Sequence, residues 1–100
     1  MKLVRFHSEA TEELSQAIAY YEQQKIGLGL DLLAAVEQAV QRIRQNPEWG
    51  APYKDTVFRH VKTHRFPFVI FYVEWENSLW IVAVAHAKRR PDYWRRRRPN

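Results

Sequence analysis

His86 closes an apolar run and is followed within eight residues by Lys88, Arg89, Arg90, Tyr93 and Trp94. A histidine titrates near neutral pH and can pass a proton to or from a hydroxyl. Guanidinium groups meet phosphate oxygens two at a time, and aromatic rings can stack on bases. Upstream, Arg59 and Arg65 flank the turn before the apolar run Phe66–Trp75. Such a set offers a proton carrier beside cations that could hold an anion. Each residue also has a plain structural use. His86 shares an alternating face with Val82 and Val84, Arg59 and Arg65 could pair across strands with Glu74 or Glu76, and Tyr93 and Trp94 could fold back as lids on the core.

Other chemistries lack their residues. His60 and His64 have the spacing of a metal pair on a helix, but they straddle a strand end and a turn, and no third ligand converges on them. There is no cysteine, no serine nucleophile arrangement and no glycine-rich phosphate loop, so neither a metal nor a cofactor is expected.

Positive charge is concentrated at one end. Residues 1–85 hold nine Lys/Arg against ten Asp/Glu, whereas residues 86–100 hold seven against one, so the whole net charge of +5 comes from the last fifteen positions. This is either a solvated basic tail or a patch that seeks an anion, nucleic acid or acidic protein.

The elements that must position these groups follow from periodicity. Lys2–Phe6 alternates as a short strand. Ser8 can cap a helix whose stripe is Ala10, Leu14, Ala17, Ile18 and Tyr21. Lys25-Ile26-Gly27 interrupts it, and a second stripe of Leu28, Leu32, Val36, Ala39, Val40 and Ile43 runs to the stop at Asn46-Pro47. Residues 47–55 read as a loop, Val57–Lys62 as a strand with Thr63-His64 turning after it, and Phe66–Trp75 and Leu79–His86 as a hairpin about Glu76-Asn77-Ser78. Both faces of the first hairpin strand are apolar, which places it centrally. The order is β-α-α-β-β-β, an α+β fold with a helical hairpin on an antiparallel sheet. One domain is expected over 1–96, with 97–100 as a flexible basic tail; 100 residues suffice to bury roughly two-thirds of the unfolded surface. No apolar run approaches the roughly 20 residues of a membrane span, and the first residues lack a signal-peptide core, so a cytoplasmic protein is expected.

The chain resembles toxins of the RelE/ParE superfamily from bacterial type II toxin–antitoxin systems. The likeness spans Val4 to Arg96 and rests on the element order, Tyr20-Tyr21, Gly27-Leu28-Gly29, Asn46-Pro47, Arg65-Phe66-Pro67-Phe68, and His86-x-x-Arg89-x-Pro91-x-Tyr93-Trp94. The first helix pair is similar to the ParE-like branch. The middle strands offer only Lys54, Arg59, Lys62 and Arg65, less than the cationic cluster of some RelE-like toxins. The resemblance implies a growth-inhibiting toxin of the plasmid-stabilisation kind that acts on DNA gyrase and is neutralised by a small acidic antitoxin. The alternative is a RelE-like, metal-independent endoribonuclease acting on messenger RNA at the ribosome, with His86, Arg65 and Arg59 as its catalytic residues. A non-catalytic RNA- or protein-binding module is the remaining reading. On the toxin readings Lys88, Arg89, Arg90, Tyr93 and Trp94 would meet the target or nucleic acid. Trp49, Tyr53 and Trp80 would meet the antitoxin as exposed aromatics, in a homodimer or a toxin–antitoxin hetero-oligomer.

Overall fold

The computed structural model describes residues 2–100, leaving Met1 outside. The elements run β1 (Leu3–Phe6), α1 (Ser8–Gln24), α2 (Leu28–Gln45), β2 (Ala51–Pro52), β3 (Arg59–Lys62), β4 (Phe68–Trp75) and β5 (Ser78–His86). Among the described residues no helix is long and apolar enough to cross a membrane.

The helices begin and end for local reasons. His7, not Ser8, caps α1: its Nδ1 accepts the Glu9 amide at 3.1 Å, so the helix starts one residue earlier than the serine signal implies. Glu22 ties the inter-helix turn by accepting the Gly27 and Gly29 amides at 2.9 and 3.0 Å. Gly27 sits at φ +90°, where a side chain is strained, and a Cβ on Gly29 would lie 2.6 Å from the Ile18 carbonyl oxygen. The Gly27-Leu28-Gly29 motif is thus the close crossing of the two helices. Leu32, Val36, Ala39 and Ile43 then bury the inner stripe of α2.

The sheet is ordered β1-β5-β4-β3-β2. It is mixed rather than wholly antiparallel, because β1 pairs parallel with β5 after the chain has crossed through the helical hairpin. The stretch expected to be loop adds the two-residue strand β2 on β3. β3 begins at Arg59 instead of Val57, since Thr56 folds a tight turn by accepting the Phe58 amide while Tyr53 donates to the Phe58 carbonyl. Glu76 and Asn77, at φ 47° and 64°, make a two-residue turn between β4 and β5.

Alternation in β4 holds: Phe68, Ile70 and Tyr72 join the core under the helices, while Val69, Phe71 and Val73 face away. In β5 it breaks. Phe71 pairs with Ala83 and Tyr72 with Ile81, leaving Val82 as a bulge. Leu79, Ile81 and Val84 therefore face the helices, whereas Trp80, Val82, Ala83 and Ala85 face the other side. That second face is covered by the chain's own closing segment. Trp94, 1% exposed, stacks 4.2 Å from the Phe71 ring, and Arg95–Asn100 runs back past Val73, Val82 and Trp80. Asn100 then exchanges hydrogen bonds with Ser8 at 2.7 and 3.2 Å. The stretch 97–100, expected to be a loose tail, is docked by these bonds.

Candidate functional site

The candidate residues gather where β4 begins and β5 ends. Phe68 lies opposite His86 in register, and the Ala87 amide donates to the Pro67 carbonyl at 2.8 Å, so the turns 63–67 and 87–90 lie side by side. His86 is half-buried with its ring edge-on to Phe68 at 5.3 Å. Its Nδ1 accepts the Lys88 amide at 3.0 Å, which fixes the ring and leaves Nε2 as the nitrogen available to a proton or a ligand. Arg65, at φ 76°, extends over the Phe66 ring and pairs with Asp31 of α2 at 3.2 Å.

Arg59 is not part of this group. It pairs with Tyr72 at the far end of β3, three positions from the Lys62–Val69 pair, roughly 10 Å along the strand. There its guanidinium donates to the Gly50 carbonyl at 2.7 Å, and Tyr72 accepts the Gly50 amide while donating to the Pro47 carbonyl. Arg59 thus clamps the loop that precedes it. Neither Arg59 nor Arg65 takes the cross-strand partners Glu74 or Glu76; Glu74 pairs with Lys2 instead.

Lys88, Arg89 and Arg90 are exposed on the turn after β5. Arg89 lies 4.0 Å over the Tyr93 ring and 3.8 Å from Glu13. The Tyr93 hydroxyl donates to Glu13 at 2.5 Å. Burial first, and then this bond to a carboxylate, push its pKa well above the ordinary tyrosine value. Trp94 is a core residue, so it is the lid and not a stacking surface. Trp80, expected as an exposed contact, is 9% exposed because the closing segment at Pro99 and Asn100 lies beside it. Trp49 remains surface-facing beneath the Arg42 guanidinium at 4.3 Å. Tyr53 is partly covered, its hydroxyl donating to Asp92 at 2.5 Å beside the Lys54–Asp92 pair at 3.0 Å. The Tyr53 bond and then the Lys54 bond hold the Asp92 carboxyl below its usual range.

Sequence reasoning passed over the best-connected carboxylate in the molecule. Glu13 accepts from the Val84 amide at 3.0 Å, from Tyr93, and from both terminal nitrogens of Arg97 at 3.1 and 2.9 Å. Arg97 also donates to the Val82 carbonyl at 2.8 Å, and the two side chains are only 10% and 11% exposed. Burial is the largest single influence and pulls the Arg97 pKa down, but the Glu13 bond together with the charges of Glu13, Glu9 and Tyr93 outweighs it and the net shift is upward. The bulge explains the arrangement: it leaves the Ile81 and Val82 carbonyls both pointing out past the end of β1. His7 takes the first and Arg97 the second. Glu13 lies three residues after Ala10 and four before Ala17, inside the buried stripe of α1. A carboxylate in that position was the readable signal.

Beside this knot a groove of about 640 Å³ runs between α1 and the outer edge of β5, floored by Ala17, Tyr21, Phe68 and Val84 with His86 and Arg89 at its rim.

Residues 4–91 match a family model described as "ParE toxin of type II toxin-antitoxin system, parDE". Among solved structures, a chain of the "Chromosomal ParDE TA system from P. aeruginosa" superposes with a TM-score of 0.67 at 19% identity, covering 88% of this chain and 98% of its own. That likeness is one of fold. No curated protein matches.

Proposed function

This chain belongs to the ParE toxin family of type II toxin–antitoxin systems, and from that premise we propose that it arrests growth by poisoning DNA gyrase until a small acidic antitoxin covers it. The observation that favours this over messenger-RNA cleavage is the dispersal of the candidate catalytic set. Cleavage by 2′-hydroxyl attack needs a proton carrier and cations converging on one phosphate. Here Arg59 is spent on the Gly50 loop at the other end of β3, and Arg65 is spent on Asp31. Of the three, only the His86 side chain is bonded to no carboxylate or carbonyl among the described residues. Lys88, Arg89 and Arg90, with the Tyr93 ring beneath Arg89, are the groups we assign to the target. Trp49 and Tyr53 are assigned to the antitoxin. The groove between α1 and β5 suits an acidic, partly apolar segment, because its floor is apolar and its rim carries Arg89.

Expression in bacteria without a partner separates the readings. Growth arrest with an SOS response and intact transcripts is expected. Ribosome-dependent transcript cutting that disappears in His86→Ala would overturn the gyrase reading. Normal growth with folded protein would overturn toxicity itself.

A further inference from the structure

The two turns that meet at the end of the sheet carry positive charge that the molecule does not neutralise. Lys62 closes β3, His64 lies in the turn after it, and Lys88 and Arg90 lie in the turn after β5; all four are exposed. Lys62 stands in the row Lys62–Val69–Ala85, two residues before β5 passes into residues 87–90. The carboxylates of this region are already engaged. Asp31 holds Arg65, Asp92 holds Lys54 and Tyr53, Glu13 holds Arg97 and Tyr93, and Glu22 holds two backbone amides. Among the described residues Lys62, Lys88 and Arg90 have no carboxylate oxygen within 4.0 Å. Arg65 and Arg89 are 56% and 54% exposed but engaged, Arg65 with Asp31 at 3.2 Å and Arg89 with Glu13 at 3.8 Å.

We propose that this end of the sheet is a binding surface for the phosphate backbone of duplex DNA. A duplex presents one charge about every 1.7 Å along its axis, and long cationic side chains on adjacent turns can follow it without reading bases. Single-strand binding instead uses exposed rings on which bases stack. The rings within this arginine-rich stretch are not free for that. Trp94 is in the core, and Tyr93 lies between the guanidinium groups of Arg89 and Arg97 at 4.0 and 5.2 Å with its hydroxyl on Glu13. Charge without a stacking platform selects the duplex. The surface goes beyond the gyrase reading and does not require it.

The test is fluorescence anisotropy of a labelled 20-base-pair duplex of arbitrary sequence with the purified chain, from 50 to 200 mM salt. With three to four phosphates neutralised, the slope of log K on log salt is about −3, a loss of roughly 60-fold over that range. Lys62→Gln, Lys88→Gln and Arg90→Gln each reduce the slope by about one unit, and together they bring it near zero, with the thermal midpoint by circular dichroism unchanged. Lys2→Gln, at the opposite end of the sheet, leaves it alone. Absence of binding at 50 mM salt would overturn the proposal, as would a slope indifferent to the triple change. Equal competition by poly-glutamate of the same charge would overturn it too, making the patch a seat for acidic protein. Growth arrest by a chain that fails to bind the duplex sinks this inference and spares the gyrase reading; binding without arrest does the reverse.

Discussion

Two arginine-rich regions of this chain use the same side chain in opposite ways. At the outer edge of β5, Arg97 is 10% exposed and all its contacts are internal: Glu13, Glu9 and the Val82 carbonyl. On the turn after β5, Arg90 is exposed and has no carboxylate within reach. Arg95, Arg96, Arg97 and Arg98 are consecutive in sequence, yet only the third enters the knot while Arg96 and Arg98 point to solvent. A charge run is therefore not one feature. Which of its members is structural depends on what carboxylate the fold brings alongside.

The comparison breaks most visibly under Arg97→Ala. Removing one partner of a buried pair leaves Glu13 without its closest cation and costs about 3–5 kcal/mol, whereas Arg96→Ala stays within about 0.5 kcal/mol. Urea denaturation of the two variants side by side measures the contrast, and equal midpoints would dissolve it. Tyr93→Phe costs less, about 1.5–3 kcal/mol at neutral pH, because Glu13 keeps its other donors.

The same variant changes the alkaline limb. Folded Tyr93 holds its proton more tightly than the unfolded chain does, so its stabilisation is complete below the ordinary tyrosine pKa of 10.0 and drains away as pH rises above it. Midpoints followed from pH 8 upward should fall less steeply in Tyr93→Phe than in the parent chain, with a residue of slope left by Tyr72, whose pKa burial also raises. Asp92 gives the mirror image with a smaller amplitude, since it lies at the surface. Its folded pKa is lowered, so its contribution is present above the ordinary carboxyl value of 3.8 and is lost as pH falls below it. Asp92→Asn should flatten that acid limb. Smallest of all, Lys88→Gln and Arg90→Gln leave stability within about 0.5 kcal/mol while removing charge from the surface.

Much of the frame was legible because period and turn chemistry agree. The stripe Leu32, Val36, Ala39 and Ile43 predicts the buried face of α2, and two apolar faces predict that β4 is central. The bulge was not legible. Nothing in Leu79–His86 announces that Val82 drops out of register, and from that residue on the alternation inverts, so Trp80 and Val82 share a side that strict alternation also gives them while Ala83 and Ala85 cross over to join them. Of the candidate site, the placing of His86 opposite the start of β4 followed from the hairpin, but the engagement of Arg59 with Gly50 depends on β2, a strand of two residues with no pattern to read. Glu13 was hidden for another reason: an acidic residue near a helix start reads as a favourable dipole contact, and its partner stands 84 positions away.

That separation has a consequence for biosynthesis. Glu13 is translated long before Arg97, and the helices and strands between them can pair while the edge of β5 at Val82 is still bare. Before Arg97 is in place the carboxylate has only the Arg89 guanidinium, 3.8 Å away, as a counter-ion. Only when Arg97 has left the ribosome does the ring of contacts shut, so this edge of the fold is completed last.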